Sequence, residues 1–330
     1  MAGQLKLTLK VEHFAFHQPF RISGHVFTQT AVLVAELRDG ISLGRGEGAG
    51  VYYLGDDIGH MLAQAESARG AIEAGATRQE LQALLPAGGA RNAIDCAFWE
   101  LEARQQRTPV WQLAGLQPPR PLRSTMTLGA DAPEVMAAAA LLLDPAAPVK
   151  VKLTGDLPLD VARVIAIRAA RPDAWIGVDA NQGYARDGLI RLLPDLVEQR
   201  ISQLEQPLQR GQEADLDGLE RPLPFVADES AVTLADTEAL AGRFDVVNIK
   251  LDKCGGLTEG LAIARRARAL GLDVMVGNMM GTSLSMAPSY VLGQLCDVVD
   301  LDGPTFLAHD RQPGVDYKDG CIVCPAELWG

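Results

Sequence analysis

The sequence predicts an α/β protein in which a βα barrel carries the chemistry and a smaller α+β domain precedes it. Three observations predict this. Five short apolar runs each close on an isolated charged residue: Val-Lys150-Val-Lys152, Ile-Gly-Val-Asp179, Gln-Leu-Glu205, Phe-Val-Ala-Asp228 and Asn-Ile-Lys250. From Lys152 onward these residues are spaced by 27, 26, 23 and 22 positions, each interval long enough for one strand, a covering helix and two loops. The chain, at 330 residues and 48% hydrophobic composition, is long enough for one barrel plus a smaller unit. Parallel strands covered on both faces read as continuous apolar runs, and a charged residue at the end of such a run points into the site at the C-terminal face of the barrel. Any one of these carboxylates could be a helix cap or a turn residue. Their shared phase is hard to obtain from turn chemistry.

Composition narrows the function. A formal net charge of −12 argues against a nucleic-acid surface, which needs clustered Lys and Arg, and suits an acidic cavity holding a divalent cation. The longest apolar run, Val135 to Leu143, is too short to span a bilayer, and the opening Met-Ala-Gly-Gln-Leu-Lys has no secretory pattern. Cysteines at 96, 254, 296, 321 and 324 form an odd, scattered set that predicts a reducing cytoplasm. Cys321 and Cys324 have CxxC spacing, but no second pair completes a zinc site.

In chain order, residues 4–38 alternate as β-like runs around the stretch from Pro19 to Phe27, a candidate substrate cover. The glycine-rich segment from Gly44 to Tyr53 lacks the strand-to-helix setting of a phosphate loop and reads as a bent strand or flap. Residues 57–116 are helical in pattern, with Ala93, Ile94, Ala97, Phe98 and Leu101 on one face. Pro118, Pro119 and Pro121 mark the passage to the barrel. The expected domains are 1–120, completed by 311–330, and a barrel over 121–310. Strand one is expected over Ser124–Leu128, with an alanine-rich helix from about Asp131, strand seven over Asp273–Met279 and strand eight over Val298–Asp302. Asp300 and Asp302, two apart on an extended strand, would share one side and converge on one cation. The Asp319-Gly320 pair marks a hairpin that returns to the N-terminal domain.

Three carboxylates on a rigid ring of strands suit Mg²⁺, a hard ion that keeps positions for water or a substrate oxygen. A substrate carboxylate at that ion would have its α-proton acidified, since proton loss gives an enediolate beside positive charge. Lysines on strands two and six lie across the barrel from each other and can approach opposite faces of the α-carbon.

The series Lys150-Val-Lys152, Asp179-Ala-Asn181, Glu205-Gln-Pro, Asp228-Glu-Ser and Asn248-Ile-Lys250 resembles the enolase superfamily, in its muconate-lactonizing-enzyme subgroup. The resemblance covers nearly the whole chain and implies a modified TIM barrel, (β/α)₇β, under an α+β capping domain. It implies Asp179, Glu205 and Asp228 as Mg²⁺ ligands, Lys152 and Lys250 as acid/base lysines, and Lys150 as a partner of the enolate oxygen. Asp300-Leu-Asp302 looks like the Asp-x-Asp motif of dipeptide epimerases, which receives the substrate's N-terminal ammonium. The implied substrate is a dipeptide inverted at the α-carbon of its C-terminal residue, and the implied assembly is a homo-oligomer. Relatives acting on Ala-Glu carry an Arg in the capping loop where a rough alignment places Phe27; Arg21 sits earlier, so the pocket is apolar or Arg21 reaches it from another direction. Thr125 is a further candidate substrate contact. o-Succinylbenzoate synthase, N-succinylamino acid racemase and muconate cycloisomerase share the lysines and metal ligands without needing to bind an ammonium. A catalytically silent barrel is the reading outside enzymes.

Overall fold

A computed structural model describes residues 5–22 and 24–330; the extreme N-terminus and Ser23 of the candidate cover lie outside the described residues. The cap begins with an antiparallel sheet of β1 (Lys6–Ile22), β2 (His25–Arg38) and β3 (Leu43–Ala49). Behind it lie α1 (Ile58–Glu73), α2 (Arg78–Leu84), α3 (Gly89–Gln106) and the single turn α4 (Val110–Leu113). Thr77 and Glu80 form a reciprocal capping box at the start of α2.

The glycine-rich segment is a strand up to Ala49, β3, pressed onto α3, and not a flap. A Cβ added at Gly44, Gly46 or Gly48 would fall 2.0 Å from the Ala97 carbonyl oxygen, 2.1 Å from that of Ala93 and 2.1 Å from that of Gly89. Two strand residues advance about 6.8 Å and four helical residues about 6 Å, so alternate glycines meet successive turns of α3 and let the two backbones touch. α3 is consequently buried on nearly every side; Trp99 is core, with Arg78 stacked 3.6 Å from its ring.

The barrel follows β4 (Leu122–Arg123) and alternates β5 (Met126–Leu128), α5 (Pro133–Leu142), β6 (Val149–Lys152), α6 (Leu157–Ala170), β7 (Ile176–Asp179), α7 (Arg186–Glu198), β8 (Gln203–Glu205), β9 (Phe225–Ala227), α8 (Thr237–Leu240) and β10 (Val246–Ile249). It continues through α9 (Leu251–Cys254), α10 (Leu257–Ala269), β11 (Asp273–Val276), α11 (Ser283–Gly293) and β12 (Val298–Val299). β5 to β12 form one parallel sheet in sequence order, and the Thr125 amide donates to the Val299 carbonyl at 2.9 Å to close the ring. The repeat read from the charge spacing is therefore the repeat of the fold.

Two strand ends differ from expectation. β5 starts at Met126, because Ser124 and Thr125 form the closing corner: the Ser124 hydroxyl accepts from the Leu301 amide at 3.0 Å. β12 ends at Val299, and Asp302 has φ −98° and ψ 7°, so Asp300 and Asp302 lie beyond the strand and its alternation does not apply to them. The C-terminal hairpin, β13 (Asp316–Lys318) and β14 (Cys321–Val323), pairs with β4 and not with the cap sheet. The segment before the hairpin and the last residues both reach the cap: Arg311 pairs with Glu12 and Glu47, the Val110 amide donates to the Gly330 carbonyl and Trp329 Nε1 to the Arg45 carbonyl.

Candidate active site

Register builds the site. Lys152 pairs with Asp179, and Asp179 with Glu205, on adjacent strands, so three charged side chains stand at one level of the barrel. Lys150 lies two residues below Lys152 on the same inward face. The chain leaves its strand geometry soon after Asp179 and Glu205: Asn181 and Gln206 have φ of 43° and 36°, sparsely populated values that break the strand beyond these two ligand candidates. Gln206 also steadies the third carboxylate, its side-chain oxygen accepting from the Asp228 and Ser230 amides at 3.0 and 3.1 Å.

The charges interlock. Lys150 Nζ lies 3.2 Å from Asp179, 2.9 Å from Glu205 and 2.8 Å from Asp300. Lys152 is 2.6 Å from Asp179, and Lys250 is 2.6 Å from Asp228. Lys253, wholly buried, holds the other Asp228 oxygen at 2.5 Å and the Asn248 carbonyl at 3.1 Å. Asn248 Nδ2 donates to Glu205 Oε1 at 2.9 Å. Gly277 leaves space for this crossing, since a Cβ there would stand 3.0 Å from Lys250 Cε.

Burial and charge push these groups apart. Burial opposes ionisation of Asp179, but Lys152 and Lys150 outweigh it and hold the carboxyl down to about 2. Burial likewise works against Asp228, and Lys250 with Lys253 holds it well below the carboxylate range. Glu205 goes the other way: burial, then Asp179, raises it to about 7. Burial and the neighbouring Asp228 raise Glu229 to about 8. Burial lowers Lys150 and Lys250, yet their carboxylate partners leave both above the ordinary lysine value.

The donors fit a hard cation. Ligand oxygens of Asp179, Glu205 and Asp228 all lie within 4.8 Å of one another, so the three need draw in by only a few tenths of an ångström to meet the roughly 4.2 Å ceiling that octahedral Mg²⁺ with bonds of about 2.1 Å sets. Glu205 Oε2 is buried and receives no directed hydrogen bond despite the nearby Lys150, and Asn181 Oδ1 and Glu229 Oε2, whose residues line the cavity, have no partner either. Asp300 and Asp302 are not part of this set. Asp300 accepts from the Thr125 hydroxyl at 2.6 Å and from Lys150; Asp302 accepts from the Thr127 amide at 2.6 Å, and burial plus Asp300 raises it to about 7. The pair stands apart from the triad, and each carboxylate has its own partner: Thr125 and Lys150 for Asp300, the Thr127 amide for Asp302.

Above the charges lies a cavity of about 120 Å³. Lys152, Asp228 and Lys250 line its floor, while Phe20, Phe27, Tyr52, Met279 and Met280 line its upper part. Phe27 therefore faces the site. Arg21 does not line this cavity; it borders a separate cleft with Thr127 and Asp131, and its guanidinium lies 3.8 Å from Asp131. Asn248, Lys253, Glu47 and Asn278, which lines the cavity and donates from Nδ2 to the Asp300 carbonyl at 2.6 Å, escape a reading based on strand-end charges. Alternation finds Asn248, two residues before Lys250 on the inward face; the long-range partners of the other three carry no local signal.

The chain matches known proteins along most of its length. Residues 6–115 match the family model described as Mandelate racemase / muconate lactonizing enzyme, N-terminal domain, and residues 134–327 match Enolase C-terminal domain-like. An L-Ala-D/L-Glu epimerase of Escherichia coli (strain K12) is 40% identical over 95% of this chain and 98% of its own length. An N-acetyl-D-glutamate racemase of Pseudoalteromonas sp is 40% identical over 76% of this chain and 79% of its own. The crystal structure of a dipeptide epimerase from Methylococcus capsulatus, complexed with Mg and the dipeptide L-Arg-D-Lys, superposes with a TM-score of 0.89 at 30% identity, covering 98% of this chain and 97% of that one.

Proposed function

The chain belongs to the mandelate racemase/muconate lactonizing enzyme family of the enolase superfamily, and from that premise we propose that it is a Mg²⁺-dependent dipeptide epimerase. It inverts the α-carbon of the C-terminal residue by proton transfer between two lysines. The observation that carries this reading is that Lys152 and Lys250, four strands apart in an eight-stranded ring, border one small cavity with the acidic triad between them.

Asp179, Glu205 and Asp228 would hold Mg²⁺, which when bound supplies the charge that acidifies a proton α to a carboxylate and competes with the lysines for the same carboxylate oxygens. Lys152 takes or returns the proton on one face of the α-carbon, and Lys250 on the other. Each must be neutral to act as a base; Asp228, 2.6 Å from Lys250, favours its ammonium form, and Lys152 pairs with Asp179 at the same distance. Lys150, anchored by Asp300, stands two residues below Lys152 to steady negative charge on the carboxylate. Asp300 and Asp302 receive the substrate ammonium beside Thr125, and Phe27 with the two methionines receives the C-terminal side chain. That lining is apolar, so the preferred C-terminal residue is an uncharged, apolar one.

Incubation with Mg²⁺ and a dipeptide library in D₂O tests the reading: α-deuterated, inverted products are expected. An N-acylated amino acid is the second reading, supported by the N-acetyl-D-glutamate racemase likeness. Asp302→Asn separates the two, since it should reduce turnover of dipeptides more than that of N-acylated substrates; equal losses favour the second. Five free cysteines support a reducing, cytoplasmic setting, and exposed Val135, Leu141 and Leu142 on α5 support homo-oligomerisation through barrel helices. Among the described residues no helix is long and apolar enough to cross a membrane.

A further inference from the structure

Glu47 lies on β3, outside the cavity lining, and its side chain is fully buried. A carboxylate in that position must be matched by donors or it costs several kcal/mol, on the order of a lost buried ion pair. Four donors meet it. The Thr282 amide donates to Oε1 at 2.7 Å and the Thr282 hydroxyl to Oε2. Arg311 donates to Oε2 through Nε at 3.1 Å and Nη2 at 2.8 Å. Arg311 also donates to the Thr282 hydroxyl oxygen at 2.7 Å and to Glu12 on β1 at 2.7 Å. The ring so formed joins the cap sheet, the loop after β11 and the segment leading to the C-terminal hairpin.

Its position relative to the cavity gives it meaning. Thr282 is the N-cap of α11 and follows Met279 and Met280 by three and two residues; both methionines line the cavity, and Met280 packs on the cluster of Phe16, Phe20 and Ile22 beside Phe27 and Tyr52. Between them and Thr282 sits Gly281, where a Cβ would stand 2.3 Å from Ser285 Oγ and 3.1 Å from Glu47 Oε1, so the loop backbone is held tightly against the carboxylate. Two residues further along β3, the Ala49 amide donates to Asp252 at 2.8 Å, two positions after Lys250, and Ala49 and Gly50 line the cavity. The strand is therefore pinned to the barrel on both sides of the site, with Glu47 fixing the methionine side.

We infer that Glu47, latched by Thr282 and Arg311, is a specificity-positioning residue: it fixes Met279 and Met280 against the capping aromatics and so sets the size of the pocket for the substrate's C-terminal side chain. The substrate half of this inference rests on the epimerase reading; the placement half does not. Glu47→Gln keeps the side chain's shape and removes the charge that organises the ring.

Amide hydrogen exchange on the full-length protein tests placement. Glu47→Gln should speed exchange over 278–283 about ten-fold, the size of a lost charge-assisted contact, while Val149–Lys152 and Ile176–Asp179 stay as protected as in the unmodified protein. Steady-state kinetics tests specificity: the ratio of kcat/KM for L-Ala-L-Leu over L-Ala-L-Ala should move by about ten-fold, through KM, while kcat for the smaller substrate holds. Unchanged loop exchange overturns the inference, as does an equal loss for both substrates. If Glu47→Gln does not fold, Arg311→Lys keeps the charge, loses the two-pronged donation and is held to the same two readouts. Should the unmodified protein turn over no dipeptide, the functional reading falls while the exchange result alone decides the placement.

Discussion

The floor and the roof of the cavity are built on opposite principles. The floor and the carboxylates under it are polar, buried and fixed by strand register: Lys152 stands level with Asp179 and Glu205, and each is gripped by at least one charged or amide partner. The roof is apolar and assembled from a hairpin and two loops, with Phe27 only partly buried and Met279 and Met280 placed by a contact that lies outside the cavity. A rigid ring can hold geometry to the tolerance that proton transfer demands, whereas loops can change side chains without disturbing it. The difference teaches that chemistry and substrate choice are separable here, and mutations should separate them.

The largest effect is expected in the floor. Asp179→Asn removes a ligand and the counter-charge of Lys152 together, and turnover should fall on the order of 10⁴-fold or more. Mg²⁺ affinity measured by calorimetry should fall with it. Exchange of the α-proton that survives this substitution would break the assignment of Asp179 to the metal. Next come the lysines. Lys152→Ala and Lys250→Ala should each lower epimerisation by about 10²–10⁴-fold, but each should retain α-deuteration of one epimer only, and of opposite epimers. Retention of both epimers' exchange in either variant would show that the two lysines do not work on opposite faces.

A third effect is smaller and concerns stability. Without metal, Glu205 is raised from 4.5 to about 7 and Glu229 from 4.5 to about 8, both by burial first. The folded state thus binds these protons more tightly than the unfolded chain, so their contribution is fully present below about pH 4.5 and is lost as pH climbs through 7 and 8. Asp179, lowered from 3.8 to about 2, acts in the opposite sense but only below that window. Mg²⁺ displaces the protons, so its increment in Tm should be several degrees larger at about pH 8.5 than at about pH 5.5. An increment independent of pH would mean that the triad does not take up the ion in competition with protons.

The same division explains what could be read from the chain. Five charged residues closing apolar runs at a repeated spacing mark the floor, because barrel geometry converts sequence period directly into convergence. The seam between β12 and β5 was less legible. Asp300 and Asp302 look like alternating strand residues, but β12 stops at Val299 to let the Ser124 hydroxyl and the Thr125 amide close the ring, and that is a long-range event. Glu47 gave no signal at all, since its partners Thr282 and Arg311 lie 235 and 264 residues away. The glycines of β3 were visible as a cluster, yet their purpose depends on α3, whose carbonyls they meet.

The smallest expected effect lies in the roof and bears most directly on substrate choice. Phe27 lines the cavity with the methionines, whereas Arg21 lies in the neighbouring cleft beside Asp131. Placing a guanidinium at this partly buried position adds a partner for a glutamate side chain and withdraws apolar surface from a leucine one. Phe27→Arg should therefore shift the ratio of kcat/KM for L-Ala-L-Glu over L-Ala-L-Leu upward by about ten-fold or somewhat more. The floor is untouched, so α-proton exchange at saturating substrate should change little. Arg21→Ala is the matching control and should leave the ratio where it was, because a group held at 3.8 Å from Asp131 outside the cavity has no part in the choice. A protein that already prefers L-Ala-L-Glu, and loses that preference in Arg21→Ala, would mean that the arginine swings into the cavity when substrate binds, and the separation between an apolar roof and a charged floor would have to be redrawn.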